Sequence, residues 1–357
     1  MMRAGKGGRT LSTDNQPLDP RGEVLQGDCL QVMQQRFHGE SVDLIATDPP
    51  FGSGRRYNKQ GREFDDKFGS VESYIAFMRP RVWAMRLLLK PTGSLYLHCN
   101  PHASHYLKVL CDDVFGARNF RNEIIWRRHN SHNNTQRWAS VHDVILYYSR
   151  SPSFVWNPLY LPYKEPGNFA GEDERGVYDL APLVGAGVTQ GASSKPWGGF
   201  DPKTIGKHWA VPGYTLALAS VDKERAKSLT SQEKLDLINE AGFVVFKSKG
   251  KPPYVKVYQE QKKGVSIPDV VDDIAPLGAR PGERYPTQKP VALYERFLLA
   301  SSNPGDVVLD PFCGGGTTLA AAEKTGRRWV GIDASKDAVD FSRRLVGEVK
   351  KEPRLGL

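Results

Sequence analysis

Short apolar, β-branched runs alternate with helically spaced stretches at both ends of the chain. Val24-Leu25 reads as a strand ending at Gly27-Asp28, and a helix is expected from Leu30 to about Arg36. Val42-Asp43-Leu44-Ile45-Ala46-Thr47 is apolar but for one charge, the mark of a buried strand. Asp48-Pro49-Pro50-Phe51 follows, and its two prolines stop the strand and stiffen the turn. Residues 52–70 are glycine-rich and charged and read as a loop. From Val71 to Lys90 the residues Tyr74, Phe77, Met78, Val82, Met85 and Leu89 fall at helical spacing. Pro80 is predicted to kink that helix, and Pro91 with Gly93 to end it. Then come a strand over Ser94 to Cys99, a helix over His102 to Val114, and strands over Glu123 to Trp126 and Val141 to Tyr148. A polar, basic segment from Arg127 to Ser140 separates the last two.

From about Ser151 the texture changes, and prolines, glycines and aromatics crowd the chain to about Arg284. Leu183 to Phe200 reads as loop. One helix stands out, opened by the capping box Thr230-Ser231-Gln232-Glu233 and ended by Gly242. Val244 to Phe246 and Tyr254 to Tyr258 read as strands. Alternation then resumes, with a helix over Val291 to Ala300 and a buried strand over Val307 to Leu309 ending at Asp310. A tight turn, Pro311 to Gly316, leads into a helix over Thr317 to Lys324. A strand over Arg328 to Ile332 ends at Asp333, and Ser335 opens the last helix. This pattern predicts an α/β fold with a central, mostly parallel sheet, helices on both faces and an irregular insert. The expected divisions are a flexible leader at 1–23, a first half at 24–150, the insert at 151–284, a second half at 285–349 and a tail at 350–357. No internal repeat is visible.

Composition narrows the classes. The 39% apolar fraction and the mean hydropathy of −0.48 fit a soluble globular chain. No apolar run approaches the roughly 18 residues of a membrane span, and the leader lacks the apolar segment of a signal peptide. The four scattered cysteines, Cys29, Cys99, Cys111 and Cys313, suit a reducing cytoplasm. A net charge of +9 is the footprint of a polyanion binder.

Candidate chemistry sits at strand ends, where open α/β sheets bind ligands. The turn after Thr47 presents a carboxylate, a directed carbonyl and an aromatic ring together, although an Asp-Pro-Pro turn over a core Phe would read alike. Asp310-Pro311-Phe312-Cys313-Gly314-Gly315-Gly316-Thr317-Thr318 joins a strand to a helix, and its glycines let the backbone approach a ligand. Asp333, 23 residues after Asp310 at the next strand end, stands where a carboxylate grips ribose hydroxyls. The dinucleotide pattern GxGxxG is absent, which favours another adenosine-bearing cofactor over a nicotinamide one. His98, Cys99, His102 and His105 crowd together, but Asn100-Pro101 breaks the spacing and no metal is expected.

The chain resembles the DNA amino-methyltransferases, which methylate an exocyclic base nitrogen with S-adenosylmethionine. That family pairs an (Asp/Asn/Ser)-Pro-Pro-(aromatic) turn with a Phe-x-Gly-x-Gly turn, and in its β arrangement the catalytic turn comes first. Here Asp48-Pro49-Pro50-Phe51 precedes the insert, and Asp310 to Gly316 follows it. Gly27-Asp28-Cys29-Leu30, Gly93 to His98 and Tyr285-Pro286-Thr287-Gln288-Lys289-Pro290 resemble three further elements of the family. The resemblance covers most of residues 24–148 and 284–345, and the insert is similar only in place and texture.

The resemblance implies a Rossmann-like class I methyltransferase fold, with 24–150 as catalytic half, 151–284 as target-recognition insert and 285–349 as cofactor half. It implies that Asp48 and the Pro49 carbonyl accept the two amine hydrogens while Pro50 stiffens the turn and Phe51 stacks on a flipped-out base. It makes Asp28, Thr287, Lys289, Asp310, Pro311, Phe312, Gly314, Gly316, Thr317 and Asp333 the cofactor residues, with Asp28 near adenine and Thr287 and Lys289 beside the methionine carboxylate. Arg55, Arg56, Lys59 and Arg62 beyond the catalytic turn, and Arg127, Arg128, His129, Asn130 and Arg137 in the basic segment, are the candidate DNA contacts. Asp before Pro-Pro leans to adenine N6 and leaves cytosine N4 as the alternative; from another class, a catalytically inactive DNA-binding module has the intact turns against it. Double-stranded DNA is the expected partner, and the resemblance admits a homodimer and a cognate restriction endonuclease.

Overall fold

The computed structural model describes residues 22–52, 56–59, 62–65, 68–128, 136, 138–162, 169–259, 264–278, 285 and 288–350. In chain order the first half gives β1 (Glu23–Gln26), α1 (Cys29–Arg36), β2 (Val42–Thr47), β3 (Arg56–Lys59), β4 (Arg62–Asp65), α2 (Val71–Leu88), β5 (Leu89–Cys99), α3 (Pro101–Phe115), β6 (Phe120–Arg127) and β7 (His142–Ser149). Next come β8 (Tyr160–Leu161), β9 (Gly171–Asp173), β10 (Gly176–Pro182), β11 (Val184–Ala186), β12 (Lys207–Trp209), α4 (Gly213–Leu218), α5 (Lys223–Ser228), α6 (Ser231–Glu240), β13 (Val244–Val245), β14 (Tyr254–Tyr258) and β15 (Val265–Ser266). The chain closes with β16 (Val270–Val271), α7 (Val291–Ser301), β17 (Val307–Asp310), α8 (Thr317–Lys324), β18 (Arg328–Asp333) and α9 (Lys336–Val349).

Two compact units result: one from the residues up to Leu159 together with those from Pro268 on, the other Tyr160–Ile267. The composition-based bounds, 151 and 284, lie outside the second unit. The first unit is built on an eight-stranded sheet in the order β1-β18-β17-β2-β5-β7-β6-β16. The pairs from β1 across to β5 are all parallel, whereas β7 runs against both β5 and β6. Period-2 alternation sends neighbouring side chains to opposite faces. Ile45, Leu97, Leu309 and Val330 join the core shared with α1, α2 and α3. Leu44, Ala46, Tyr96, Val308 and Trp329 join the core on the other face, with residues of α7, α8 and α9. The sheet is therefore the expected Rossmann-like one, mostly parallel with helices on both faces.

The centre of the sheet is its switch point. From β2 the chain moves outward to β5, and from β17 it moves the other way to β18. The crevice at the carboxyl ends of β2 and β17 is where a doubly wound sheet holds its ligand.

Two sequence expectations differ from the structure. The loop expected over 52–70 contains a hairpin: β3 pairs with β4 antiparallel, Lys59 opposite Arg62, and only Gln60 and Gly61 lie between them. Two residues ending in glycine is a preferred hairpin length, a local signal that outweighed the surrounding charge. β5 starts at Leu89 rather than Ser94, since the strand continues through Pro91 by a register shift opposite Val42 and Leu44. Gly93 permits this, because a Cβ there would stand 2.9 Å from the Asp43 carbonyl oxygen. α2 carries Pro80 inside it, as expected, and ends at Leu88.

The second unit is also more regular than its composition suggested. Its four-stranded sheet runs β13-β14-β10-β9, and α6 carries the expected capping box between Thr230 and Glu233. Leu183, Trp209, Leu216, Leu235, Ile238, Phe243 and Val255 form its own core. α4 and α5, six residues each, are too short to show a helical period.

Candidate functional site

β2 ends at Thr47 and β17 at Asp310, one strand apart. The buried Thr47 hydroxyl donates to Asp310 Oδ1 over 2.7 Å, which pins the two turns together at their bases. Asp310 Oδ1 also accepts the Phe312 amide at 3.1 Å. Burial pushes this carboxyl up to about 7, against the hydrogen bonds of Thr318 and Thr47.

The prolines expected to end β2 do so, and Asp48 leaves the strand half-buried. Its Oδ2 accepts a hydrogen bond from Lys289 Nζ. Its Oδ1 is buried and has no hydrogen-bond partner among the described residues. Such an oxygen costs on the order of 1–3 kcal/mol unless a ligand donates to it. The Phe51 ring lies 5.1 Å from the Lys289 ammonium and 5.9 Å from the His98 ring, 28° from parallel.

Behind Phe51 is a buried polar chain. His98 Nε2 is 3.2 Å from Asp143 Oδ2, and its Nδ1 is 3.4 Å from the Tyr294 hydroxyl. Arg128 Nε stands 3.3 Å from Asp143 Oδ1. Burial opposes the Asp143 charge, but the hydrogen bond and attraction of His98, helped by Lys289 and Arg128, hold its carboxyl below the usual range. Burial with the Asp48, Asp310 and Asp143 charges keeps the Tyr294 phenol protonated well past its ordinary pKa. His98 and Cys99 face opposite sides of β5, so they do not converge; among the described residues no group of three metal-ligating side chains forms.

The glycine turn is held by backbone bonds. The Cys313 amide donates to the Ile332 carbonyl at 2.9 Å and the Gly316 amide to the Cys313 carbonyl at 2.7 Å. Ser342 Oγ donates to the Gly314 carbonyl at 2.7 Å. Gly316 has φ +79°, and a Cβ on it would come within 2.9 Å of the Ser342 backbone. Gly314, at φ +48°, is open: a Cβ there would meet nothing nearer than Tyr285 at 3.7 Å. Burial, with the charges of Asp310 and Asp333, raises the Cys313 thiol's pKa well above its ordinary value and keeps it neutral, against the hydrogen bond of Ser342.

Asp333 ends β18 and accepts amides from Gly314 (2.9 Å, Oδ2) and Ser335 (2.8 Å, Oδ1), which fixes its orientation. Burial raises its pKa against those two bonds. Asp28, at the end of the neighbouring β1, caps α1 and pairs with Arg81 at 2.5 Å, while the Gly27 amide donates to the Asp333 carbonyl at 3.0 Å. Two carboxylates on adjacent strand ends beside an open glycine fit an adenosine-bearing group. Thr317 opens α8 and its hydroxyl donates to the Lys289 carbonyl at 3.3 Å, so Lys289 links the Asp48 turn to the helix that follows the glycine turn.

The sequence-expected residues thus fall into two sets. Asp48, Pro49, Pro50, Phe51, Lys289, Asp310, Pro311, Phe312, Gly314, Gly316 and Thr317 gather at the β2–β17 crevice, with Asp333 and Asp28 on the strands beyond. Arg127 ends β6 with Arg128 just beyond it, and β3–β4 carries Arg56, Lys59 and Arg62. Thr287, Arg55, His129, Asn130 and Arg137 lie outside the described residues. Sequence reading missed Thr47, Asp143, Tyr294 and the place of His98; Thr47, His98 and Asp143 had only their position near strand ends as a signal, and Tyr294 only a place on the buried side of α7.

The Asp48-Pro49-Pro50-Phe51 turn and the glycine turn stand side by side at the switch point of the sheet, and the fold is that of a class I methyltransferase. The chain matches the DNA methylase family over residues 42–344 and belongs to it. It is 32% identical over 336 residues to the type II methyltransferase M.EcaI of Enterobacter cloacae, covering 92% of this chain and 70% of that one. It is 25% identical to the type II methyltransferase M.HinfI of Haemophilus influenzae, with 92% and 69% covered. The solved PvuII DNA methyltransferase, described as cytosine-N4-specific, aligns at 14% identity over 92% of this chain and 91% of that one, with a TM-score of 0.49. This is therefore a site-specific DNA amino-methyltransferase using S-adenosylmethionine. No helix among the described residues is long and apolar enough to cross a membrane.

Proposed function

We propose that this chain methylates adenine N6 at a specific site in double-stranded DNA. One observation carries the reading: the buried Asp48 Oδ1, without a partner among the described residues, at the mouth of the crevice beside Phe51. An exocyclic amine has two hydrogens and a lone pair conjugated into its ring. Asp48 Oδ1 and the Pro49 carbonyl accept those hydrogens, which draws the nitrogen toward tetrahedral geometry and frees the lone pair. Phe51 stacks on the base, which helps offset the few kcal/mol of extruding it from the duplex. When bound, S-adenosylmethionine supplies an activated methyl whose carbon leaves sulfur for the amine nitrogen, the C–S electron pair staying on sulfur and one amine proton passing to water. Asp333 and Asp28 hold its adenosine end, and the backbone at Phe312, Gly314 and Gly316 lines the rest.

Asp rather than Ser before Pro-Pro supports adenine; cytosine N4 is the second reading, since the family includes both. The type II relatives support a modification role beside a restriction endonuclease, on DNA in the cytoplasm. The basic residues near Arg56 and Arg127 would follow the phosphates. Mass spectrometry of nucleosides from genomic DNA treated with the protein and cofactor tests this. N6-methyladenine confined to one sequence context is expected. N4-methylcytosine instead would select the second reading, and no methylated base would overturn both.

A further inference from the structure

We infer that Lys289 is a positioning residue for the catalytic carboxylate. This rests on the amine-methylation reading above and adds to it a residue acting through Asp48. A carboxylate at a strand end can rotate about χ1 and χ2 and present either oxygen. Here the Lys289 ammonium holds Oδ2, and that bond leaves Oδ1 as the oxygen buried without a partner among the described residues. Lys289 is itself well placed to impose a direction. Its side chain is only 13% exposed, its carbonyl accepts from Thr317 on the helix after the glycine turn, and the next residue, Pro290, caps α7. The same ammonium lies 5.1 Å from the Phe51 centroid, so one cation fixes the acceptor and borders the stacking ring. Lys289 and Asp48 are 241 residues apart in sequence, so the bond spans the insert and joins the two halves of the domain at the reacting centre.

Without the ammonium the carboxylate can turn Oδ1 away from the amine. Misplacing a reacting group by about 1 Å costs on the order of 100-fold in rate. The test separates this from a lysine that merely grips the cofactor's amino-acid end. Wild type, Lys289→Met and Lys289→Arg are compared for tritiated methyl transfer to unmethylated genomic DNA at saturating cofactor. Their affinity for S-adenosylmethionine is measured by calorimetry. Lys289→Met should lose about 100-fold in kcat with cofactor Kd changed less than about threefold, and Lys289→Arg, which keeps a donor, should recover most of the loss. An unchanged kcat in Lys289→Met, or a loss of cofactor affinity as large as the loss of turnover, would overturn the assignment. If Lys289→Met does not fold, Lys289→Gln, which keeps a neutral donor, takes its place with the same criteria and a smaller loss. Absence of transfer by the wild type would instead sink the reading beneath it, so the two failures are distinct.

Discussion

Two turns of nearly the same wording lie next to each other in this protein and do opposite things. Asp48-Pro49-Pro50-Phe51 ends β2, and Asp310-Pro311-Phe312 ends the adjacent β17. Asp310 is 2% exposed and its Oδ1 is taken by a threonine hydroxyl and a backbone amide. Asp48 is half-buried, with one oxygen on a lysine and the other buried without a partner among the described residues. A carboxylate whose acceptors are filled from within the fold is a pin. One with a buried acceptor that no described residue fills is shaped for a donor from a ligand. Neighbourhood, not residue type, makes the difference.

That contrast can be attacked in order of expected effect. Asp48→Ala should lower methyl transfer by about 10³-fold or more, because it removes the acceptor that meets the developing charge on nitrogen. Tritium incorporation measures it, and retained turnover would erase the distinction between the two aspartates.

Asp310→Asn should act on stability through pH instead. The native carboxyl titrates at about 7, above the 3.8 of the free side chain. The folded state therefore holds its proton longer than the unfolded chain, and its contribution is complete below about pH 4 and falls as pH rises to about 7. The wild type should lose roughly 4 kcal/mol across that window relative to Asp310→Asn, whose side chain does not titrate. Urea melts at pH 4, 5.5 and 7 check this, and parallel curves for the two proteins would refute it.

Gly316→Ala tests the glycine turn. A methyl group at φ +79° against the Ser342 backbone should cost about 1–3 kcal/mol, read as a lowered Tm, together with weaker cofactor binding. Gly314→Ala meets no atom nearer than 3.7 Å, so packing adds little to its own strained φ of +48°. The smallest effect concerns the rim: DNA affinity should fall with log salt at a slope of about −0.9 for each phosphate neutralised. A flat response would remove the basic hairpin and the end of β6 from the interface.

How much of this the sequence could show follows from distance along the chain. β2 and α8 were legible to the residue and β17 and β18 to within one, because an uninterrupted apolar run bounded by proline or glycine has few other readings. The glycine turn was legible because its constraint is local. The hairpin at β3–β4 was hidden by its charge, and α4 and α5 by their length. His98 looked like one of a cluster with Cys99, His102 and His105, yet alternation along β5 sends it to the opposite face from Cys99, toward Asp143, Tyr294 and Phe51. The Lys289–Asp48 bond spans most of the chain, and no periodicity announces such a pair.

The central claim is that one strand end handles the amine and its neighbours handle the cofactor. The most direct test measures both properties in Asp48→Ala and Asp333→Asn, by calorimetry with S-adenosylmethionine and by methyl transfer to genomic DNA at saturating cofactor. The account predicts that Asp48→Ala binds cofactor like wild type and does not transfer, while Asp333→Asn binds it at least tenfold more weakly and regains transfer as cofactor is raised. Two variants that lose cofactor affinity alike would contradict it.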